Sequence, residues 1–438
     1  MNPPAPRLQT RTSRLLRETI VSTTLSCGLP AFVIPKRGHL RKSAVVATRY
    51  GSIDLSFRDT AGGGRRDTPP GIAHFLEHQL FKKQDVDVLM EFGRFGASAN
   101  AFTDYTMTAY HFTAADRFEE ALDLLLSFTF SPFFEDGKVE NEKKIIEQEL
   151  RMYDDSPDYR IYKNLMPALY RAHPVRIDIG GTVQSIQGIT RALLESCYRT
   201  FYHPRNMVFV AAGDVDPRAV FERAEKAFAG RTFADGGTIE RFYPDEPEGV
   251  SQTMVRGEAV VSRPRVYLGV KDPSVADGDA LDRELETSVL LDLLFGRGSA
   301  FFSRAYGRGL IDDTFSFSYN SEQPFGFSLI GGETDEPQRL VDEVRREVAR
   351  MRKGRLAKRD VERAKRKRLG RFLRALDTPE GAAFLFLGCY PKGIDVFAIP
   401  KAITRLSPRR LEERLRRHLV EANQAMSVLV PAQSRSTV

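Results

Sequence analysis

Tryptophan is absent and cysteine is scarce: Cys27, Cys197 and Cys389 are the three thiols in 438 residues. An odd number of widely spaced thiols excludes a disulfide framework and fits a reducing compartment. None of them stands at Cys-x-x-Cys spacing, which excludes a thiolate metal site. Long apolar runs are also missing. Gly381 to Tyr390 is among the longest, well short of the ~20 residues that span a bilayer. The N-terminus carries Arg7, Arg11, Arg14 and Arg17, broken by polar residues and Glu18, and lacks the apolar core of a signal peptide. A cytoplasmic protein without a membrane segment is expected.

What is present is ordinary folded composition, with 42% hydrophobic and 28% charged residues and 30 Phe. A chain this long suggests two domains rather than one core. The net charge of +7 gathers at the N-terminus and between Arg352 and Arg371, a run that also holds Asp360 and Glu362. It reads as a solvated helix face. Nucleic-acid binding is the alternative, and no stacking aromatics or phosphate-binding loop accompany it.

Along the chain, Thr23 to Ile34 reads as two short strands around Cys27-Gly28-Leu29, and Val45 to Tyr50 as another. Gly62 to Pro70 is a loop leading into a helix, with Asp67 or Thr68 placed to cap it and Pro69 in its first turn. Ala99 to Phe112 and Met207 to Ala212 are strand-like. The polar, Gly- and Pro-containing stretch 230–249 reads as a linker between an N-terminal domain, 1–229, and a C-terminal domain, 250–438.

A faint internal repeat relates the two halves. Leu80-Phe81 precedes Gly93-Arg94 by the interval that separates Leu294-Phe295 from Gly307-Arg308, and Asn100 then corresponds to Thr314. On this register His74, Glu77 and His78 fall on Ser288, Leu291 and Asp292, so the second half keeps the apolar frame and loses the chemistry. Chance similarity is the alternative.

The chemistry-bearing run is His74-Phe75-Leu76-Glu77-His78. Two histidines four apart on a helix share a face and can share one metal ion. A glutamate three residues after the first can take a proton from the water such a metal activates. Taken alone, the pentapeptide reads equally as two surface histidines and a solvated glutamate. A second helix, 138–153, shifts the balance. Its apolar residues Val139, Ile146, Leu150 and Tyr153 recur at helical spacing, and Glu142 and Glu149 fall on the same stripe. Glu140, Glu147, Lys143 and Arg151 fall where solvent is expected. A carboxylate on a buried stripe is costly unless it is paired or holds a metal.

These two helices resemble the inverted-zincin peptidases related to pitrilysin, insulin-degrading enzyme and mitochondrial processing peptidase, closest to the short bacterial processing-peptidase-like proteins. The residues that carry the resemblance are His74 to His78, Glu142 to Glu149, the run Gly96-Ala-Ser-Ala-Asn100-Ala-Phe-Thr103, and Phe201-Tyr-His-Pro-Arg-Asn206. The resemblance implies a zinc-dependent endopeptidase with His74, His78 and Glu149 as ligands to Zn2+ and Glu77 as general base. It makes Glu142 a supporting carboxylate and assigns Ala99, Asn100 and Ala101 to pairing with an extended peptide substrate. The implied fold is α+β: two similar domains, each a mainly antiparallel sheet packed with helices, forming one half of a clamshell.

One departure bears on partners. The family completes its site with an arginine and a tyrosine from a second half, whereas Phe315 to Gly332 holds Tyr319 and no arginine. A paralogous subunit lacking the metal motif is therefore expected, with a homodimer or a noncatalytic scaffold role as alternatives. The other histidines read as structural: His111 as a packed or substrate-wall residue, His173 and His203 as turn residues before proline, and His39 and His418 in charged surface-like stretches.

Overall fold

The computed structural model describes residues 8–432 apart from 59–62, 85, 234–236 and 273–279. Arg7, Gly62 and part of the expected linker lie outside the described residues. The chain forms two compact units, 1–150 with 178–243 and 373–397, and 151–177 with 244–372 and 398–438. The linear division expected at 230–249 therefore differs from the structure in two segments. Each unit takes helical residues from the other's stretch of sequence, because those helices bury apolar faces on the sheet of the unit they join. Composition marks a linker and carries no record of such an exchange.

The first unit holds a seven-stranded sheet of β1 (Gln9–Ser13), β2 (Glu18–Thr24), β3 (Pro30–Pro35), β4 (Lys42–Thr48), β5 (Ala97–Thr103), β6 (Thr108–Ala114) and β7 (Met207–Gly213), in the order β1-β2-β3-β7-β4-β6-β5. Its centre is apolar on both faces. The residues of β7 are all buried, and Ser43 to Thr48 of β4 are too. A strand covered on both sides reads as a continuous apolar run rather than an alternation. One cover is the late helix Pro379–Cys389, which packs on β3, β4 and β7. This is the apolar run noted in the sequence, and among the described residues no single helix is long and apolar enough to cross a membrane. The strand-like stretch Ala99 to Phe112 is a hairpin of β5 and β6, with Thr103 opposite Thr108. Four helices matter for the site: α1 (Ile72–Leu80), α2 (Val88–Arg94), α3 (Phe118–Thr129) and α4 (Asp136–Asp155).

The second unit holds a five-stranded sheet of β8 (Met254–Ala259), β9 (Arg265–Lys271), β10 (Ser316–Ser321), β11 (Gly326–Glu333) and β12 (Gln424–Pro431), in the order β8-β12-β9-β11-β10. Helix α5 (Pro157–Leu169) packs on β8, β9 and β12. The remaining elements used below are α6 (Ala280–Phe295), α7 (Ala300–Gly307), α8 (Pro337–Lys353) and α9 (Lys358–Leu376).

The two units repeat one topology. In the first, β3 and β7 pair in parallel and the steps β7-β4, β4-β6 and β6-β5 are antiparallel. In the second, β8 and β12 pair in parallel and the steps β12-β9, β9-β11 and β11-β10 are antiparallel. The repeat is thus a shared architecture. Its register slips at one point: Thr314 lies in the turn before β10, its hydroxyl 2.5 Å from Asp312 Oδ1. By position in the edge strand, Asn100 corresponds to Tyr319, because the second unit inserts residues between α7 and β10.

Candidate metal centre

Helix α1 starts without the expected cap. Its N-cap is Gly71 at φ 91°, and among the described residues no side chain caps it. Thr68 instead donates to Leu55 O, and Asp67 sits in a short strand, Arg66–Asp67. The reason is close approach. A Cβ at Gly71 would lie 2.4 Å from Gly180 O, and one at Gly181, φ 77°, would lie 2.4 Å from Pro70 O. Two left-handed glycines let the loop 178–181 press on the start of α1.

Ile72, Ala73, Phe75, Leu76 and Leu80 of α1 are buried in the first unit's core. That stripe leaves His74, Glu77 and His78 along its edge, with side chains 14%, 7% and 24% exposed for His74, the Glu77 residue and His78. On α4, Val139, Glu142, Ile146 and Leu150 are buried, as the spacing predicts, and Glu149 is partly open. Lys143 differs from expectation. It is buried, with its ammonium carried to Glu140 at 2.7 Å and to Gln187 O at 3.1 Å, since a long stem can lie in the core while its head finds partners.

The two helices bring three donors together. His74 Nε2 lies 3.9 Å from Glu149 Oε1, and His78 Nε2 lies 3.4 Å from Glu149 Oε2. One ligand atom from each of the three residues falls within 4.8 Å of the others. Tetrahedral zinc with bonds near 2.0–2.1 Å places its donors about 3.3 Å apart, so this set fits a zinc ion after a small inward adjustment. The other nitrogen of the second imidazole is already held: His78 Nδ1 is 3.0 Å from Glu142 Oε1. A carboxylate on Nδ1 fixes the ring and leaves Nε2 for a metal. Among the described residues His74 Nδ1, buried beside Gly180, has no hydrogen-bond partner.

The electrostatics follow from burial and crowding. Burial, with the charge of His78, pushes His74 down to about 3, so it stays neutral. Burial also works to lower His78, but the Glu142 hydrogen bond and the charges of Glu149 and Glu77 outweigh it and hold His78 above its ordinary value. Burial pushes Glu77 above the usual carboxylate range, opposed by a hydrogen bond from Thr103 and by the His78 charge. Burial likewise acts to raise Glu142, yet His78 and Lys82 bring it below that range. A buried carboxylate beside two imidazoles is suited to accept a proton near neutral pH.

Strand β5 lies at the end of the sheet and passes beneath α1. Ala99 and Ala101 pack against the core, whereas Asn100 is exposed on the opposite face, as alternation requires. Asn100 Oδ1 accepts the Ala101 N–H at 2.9 Å. Sequence reasoning missed three features here. Thr103, of the same parity as Ala99 and Ala101, donates to Glu77 Oε2 at 2.6 Å. Lys82, four residues after His78, reaches Glu142 Oε2 at 3.3 Å. The glycines at 71, 180 and 181 are the third. Parity, the continued four-residue step and the Gly-Gly pair were the available signals.

Elsewhere, Tyr319 donates to Asp272 Oδ2 at 2.5 Å and stands 3.2 Å from an Arg414 guanidinium nitrogen, so an arginine from outside Phe315 to Gly332 accompanies it. His418, expected in a surface stretch, is fully buried against Ser328 at 2.6 Å. Arg416 and Arg417 face outward while the imidazole and Arg414 turn in. His173 and His203 cap short turns by accepting from Val175 N and Arg205 N. Cations of the basic stretch are engaged within the second unit: Lys367 with Asp292, Arg368 with Glu284 at 3.1 Å, and Lys365 with Thr404 O at 2.9 Å.

Comparison with known proteins places the chain in a family. Residues 61–183 match the family described as Insulinase (Peptidase family M16), and residues 188–368 match the Peptidase M16 inactive domain. The chain is 42% identical to "Uncharacterized zinc protease YmfH" of Bacillus subtilis over 85% of its own length and 87% of that protein's. A crystal structure of an M16-like peptidase from Alicyclobacillus acidocaldarius superposes with a TM-score of 0.90 at 34% identity, covering 99% of this chain and 100% of that one. Pitrilysin shares the fold at a TM-score of 0.73 and 16% identity, over 97% of this chain but 46% of its own. The chain belongs to peptidase family M16.

Proposed function

We propose that the protein is a zinc-dependent endopeptidase acting on peptides or unfolded segments. The observation that carries this reading is the convergence of His74 Nε2, His78 Nε2 and the Glu149 carboxylate, with Glu142 fixing the second imidazole from behind. In this reading those three residues hold zinc, whose Lewis acidity would make water a stronger acid and polarise a peptide carbonyl. Glu77 accepts the water proton with its buried carboxylate and returns it to the leaving amine. Glu142 keeps His78 in the tautomer that presents Nε2. Ala99 to Ala101, on the sheet's edge strand, offer backbone groups to an extended substrate, which would exchange for the internal Asn100–Ala101 contact.

The length relation to pitrilysin supports a second subunit, since this chain spans less than half of that one. A paralogue without the metal motif fits best, and a second copy of this chain is the other option. Size-exclusion chromatography should find the active species larger than one chain; a fully active monomer would overturn this part. The match of residues 188–368 to an inactive domain favours the rival reading, a noncatalytic scaffold subunit. Peptide cleavage by wild type and Glu77→Gln, each alone and with the paralogue, separates the two. The substitution should lower turnover by about 10²–10⁴-fold. Equal turnover refutes the base, and cleavage by neither favours the scaffold.

A further inference from the structure

We propose that Thr103 is a positioning residue for the reaction: its hydroxyl aims the Glu77 carboxylate. This rests on the peptidase reading above.

The hydroxyl donates to Glu77 Oε2 at 2.6 Å, and among the described residues this is the one hydrogen bond the Glu77 side chain makes. The other carboxylate oxygen is left for water. Without that bond, a flexible side chain would have to find its orientation anew at each turnover. Aligning a reacting group in advance is worth a large factor in rate.

Thr103 is itself held unusually firmly. It is the last residue of β5, paired with Thr108 across the hairpin, and the loop between them closes with Asp104 N donating to Met107 O at 2.7 Å. That loop is clamped from outside by Ser52 N on Asp104 O at 3.0 Å and Ile53 N on Tyr105 O at 3.1 Å. The clamp needs Gly51, where a Cβ would come within 2.3 Å of Tyr105 O. On the α1 side, the small residues Ala99 and Ala101 share the parity of Thr103 and leave the helix close to the strand. Both ends of the Thr103–Glu77 contact are therefore rigid.

The second observation is the neighbour behind it. Thr108 is buried, its hydroxyl donates to Tyr50 O at 2.9 Å, and its oxygen lies 3.3 Å from Thr103 Oγ1. Its hydrogen is committed to a carbonyl, so it meets Thr103 as an acceptor. While Glu77 is a carboxylate, Thr103 donates to it. The proton taken from water goes to the other carboxylate oxygen, so Thr103 goes on donating to Oε2. The proton then passes from that oxygen to the leaving amine, and Thr103 holds Glu77 throughout.

The test compares Thr103→Val, which keeps the shape and removes the hydroxyl, with Thr103→Ser, which restores the hydroxyl, beside Glu77→Gln. Peptide turnover, zinc content and chelator-competition affinity are measured for each. Thr103→Val should lower kcat by about 10–100-fold, with KM, zinc content and zinc affinity unchanged, and Thr103→Ser should recover most of the loss. If Thr103→Val turns over like wild type while Glu77→Gln is inactive, the inference fails and the peptidase reading stands. If Thr103→Ser is as impaired as Thr103→Val, or if zinc affinity falls with kcat, the residue shapes the strand rather than the base, and the inference fails. If Glu77→Gln is as active as wild type, there is no base to position and both fall.

Discussion

The two units carry opposite chemistry on one frame. In each, a parallel step and three antiparallel steps build the same strand order, and two helices connect the second strand of the repeat to its edge strand. In the first unit, α1 presents two imidazoles to the carboxylates of α4. In the second, the positions of His74, Glu77 and His78 hold Ser288, Leu291 and Asp292, and Asp292 pairs with Lys367 of α9. A metal-type donor set is thus replaced by an ordinary ion pair, with Leu291 buried where the base would be. The difference teaches that the architecture tolerates either filling, so the proposed function rests on a few side chains at one helix crossing.

The largest expected contrast lies at that crossing. Glu142→Gln removes the charge that holds His78 and should weaken zinc binding by about 10–100-fold. Asp292→Asn, the matching change in the second unit, should leave zinc affinity as it is. Chelator competition measures both, and a comparable loss in each would erase the distinction drawn between the units.

Next comes the backbone beneath α1. Gly71→Ala meets Gly180 O at a φ of 91° and should cost about 1–3 kcal/mol. Gly307→Ala, at the end of α7 with nothing within 4 Å of a new Cβ, should instead stabilise by up to about 1 kcal/mol. Calorimetric Tm values of opposite sign sharpen the comparison; equal shifts would break it.

The smallest effect is the pH dependence of the metal-free protein, and its sign differs between units. His78 is held above 6.5, so its contribution is fully present below pH 6.5 and is lost as pH rises through the folded value. In the second unit, burial and the Arg414 charge push His418 down to about 3, against the pull of Asp272. Its contribution is present above 6.5 and is lost as pH falls toward 3. Tm measured across pH should lose its alkaline-side decline in His78→Ala and part of its acid-side decline in His418→Gln. The reverse assignment would contradict the electrostatics.

Much of this was legible in the residues. The His74–His78 pair and the stripe position of Glu142 and Glu149 were fixed by helical periodicity, a local property that the fold had only to bring together. The repeat was legible where helices set the spacing and slipped at Thr314, where an insertion between elements left no periodic trace. Thr103 and Gly180 escaped because their roles are contacts across the fold, 26 residues from Glu77 in the one case and against a distant helix start in the other. The exchange of helices between units escaped for the same reason, since an amphipathic helix does not record which sheet it will cover.

Zinc stoichiometry tests the central claim most directly. Wild type and Asp292→Ala should each purify with one zinc ion per chain, and His78→Ala with none. Zinc retained by His78→Ala, or missing from wild type purified without chelators, would contradict the account.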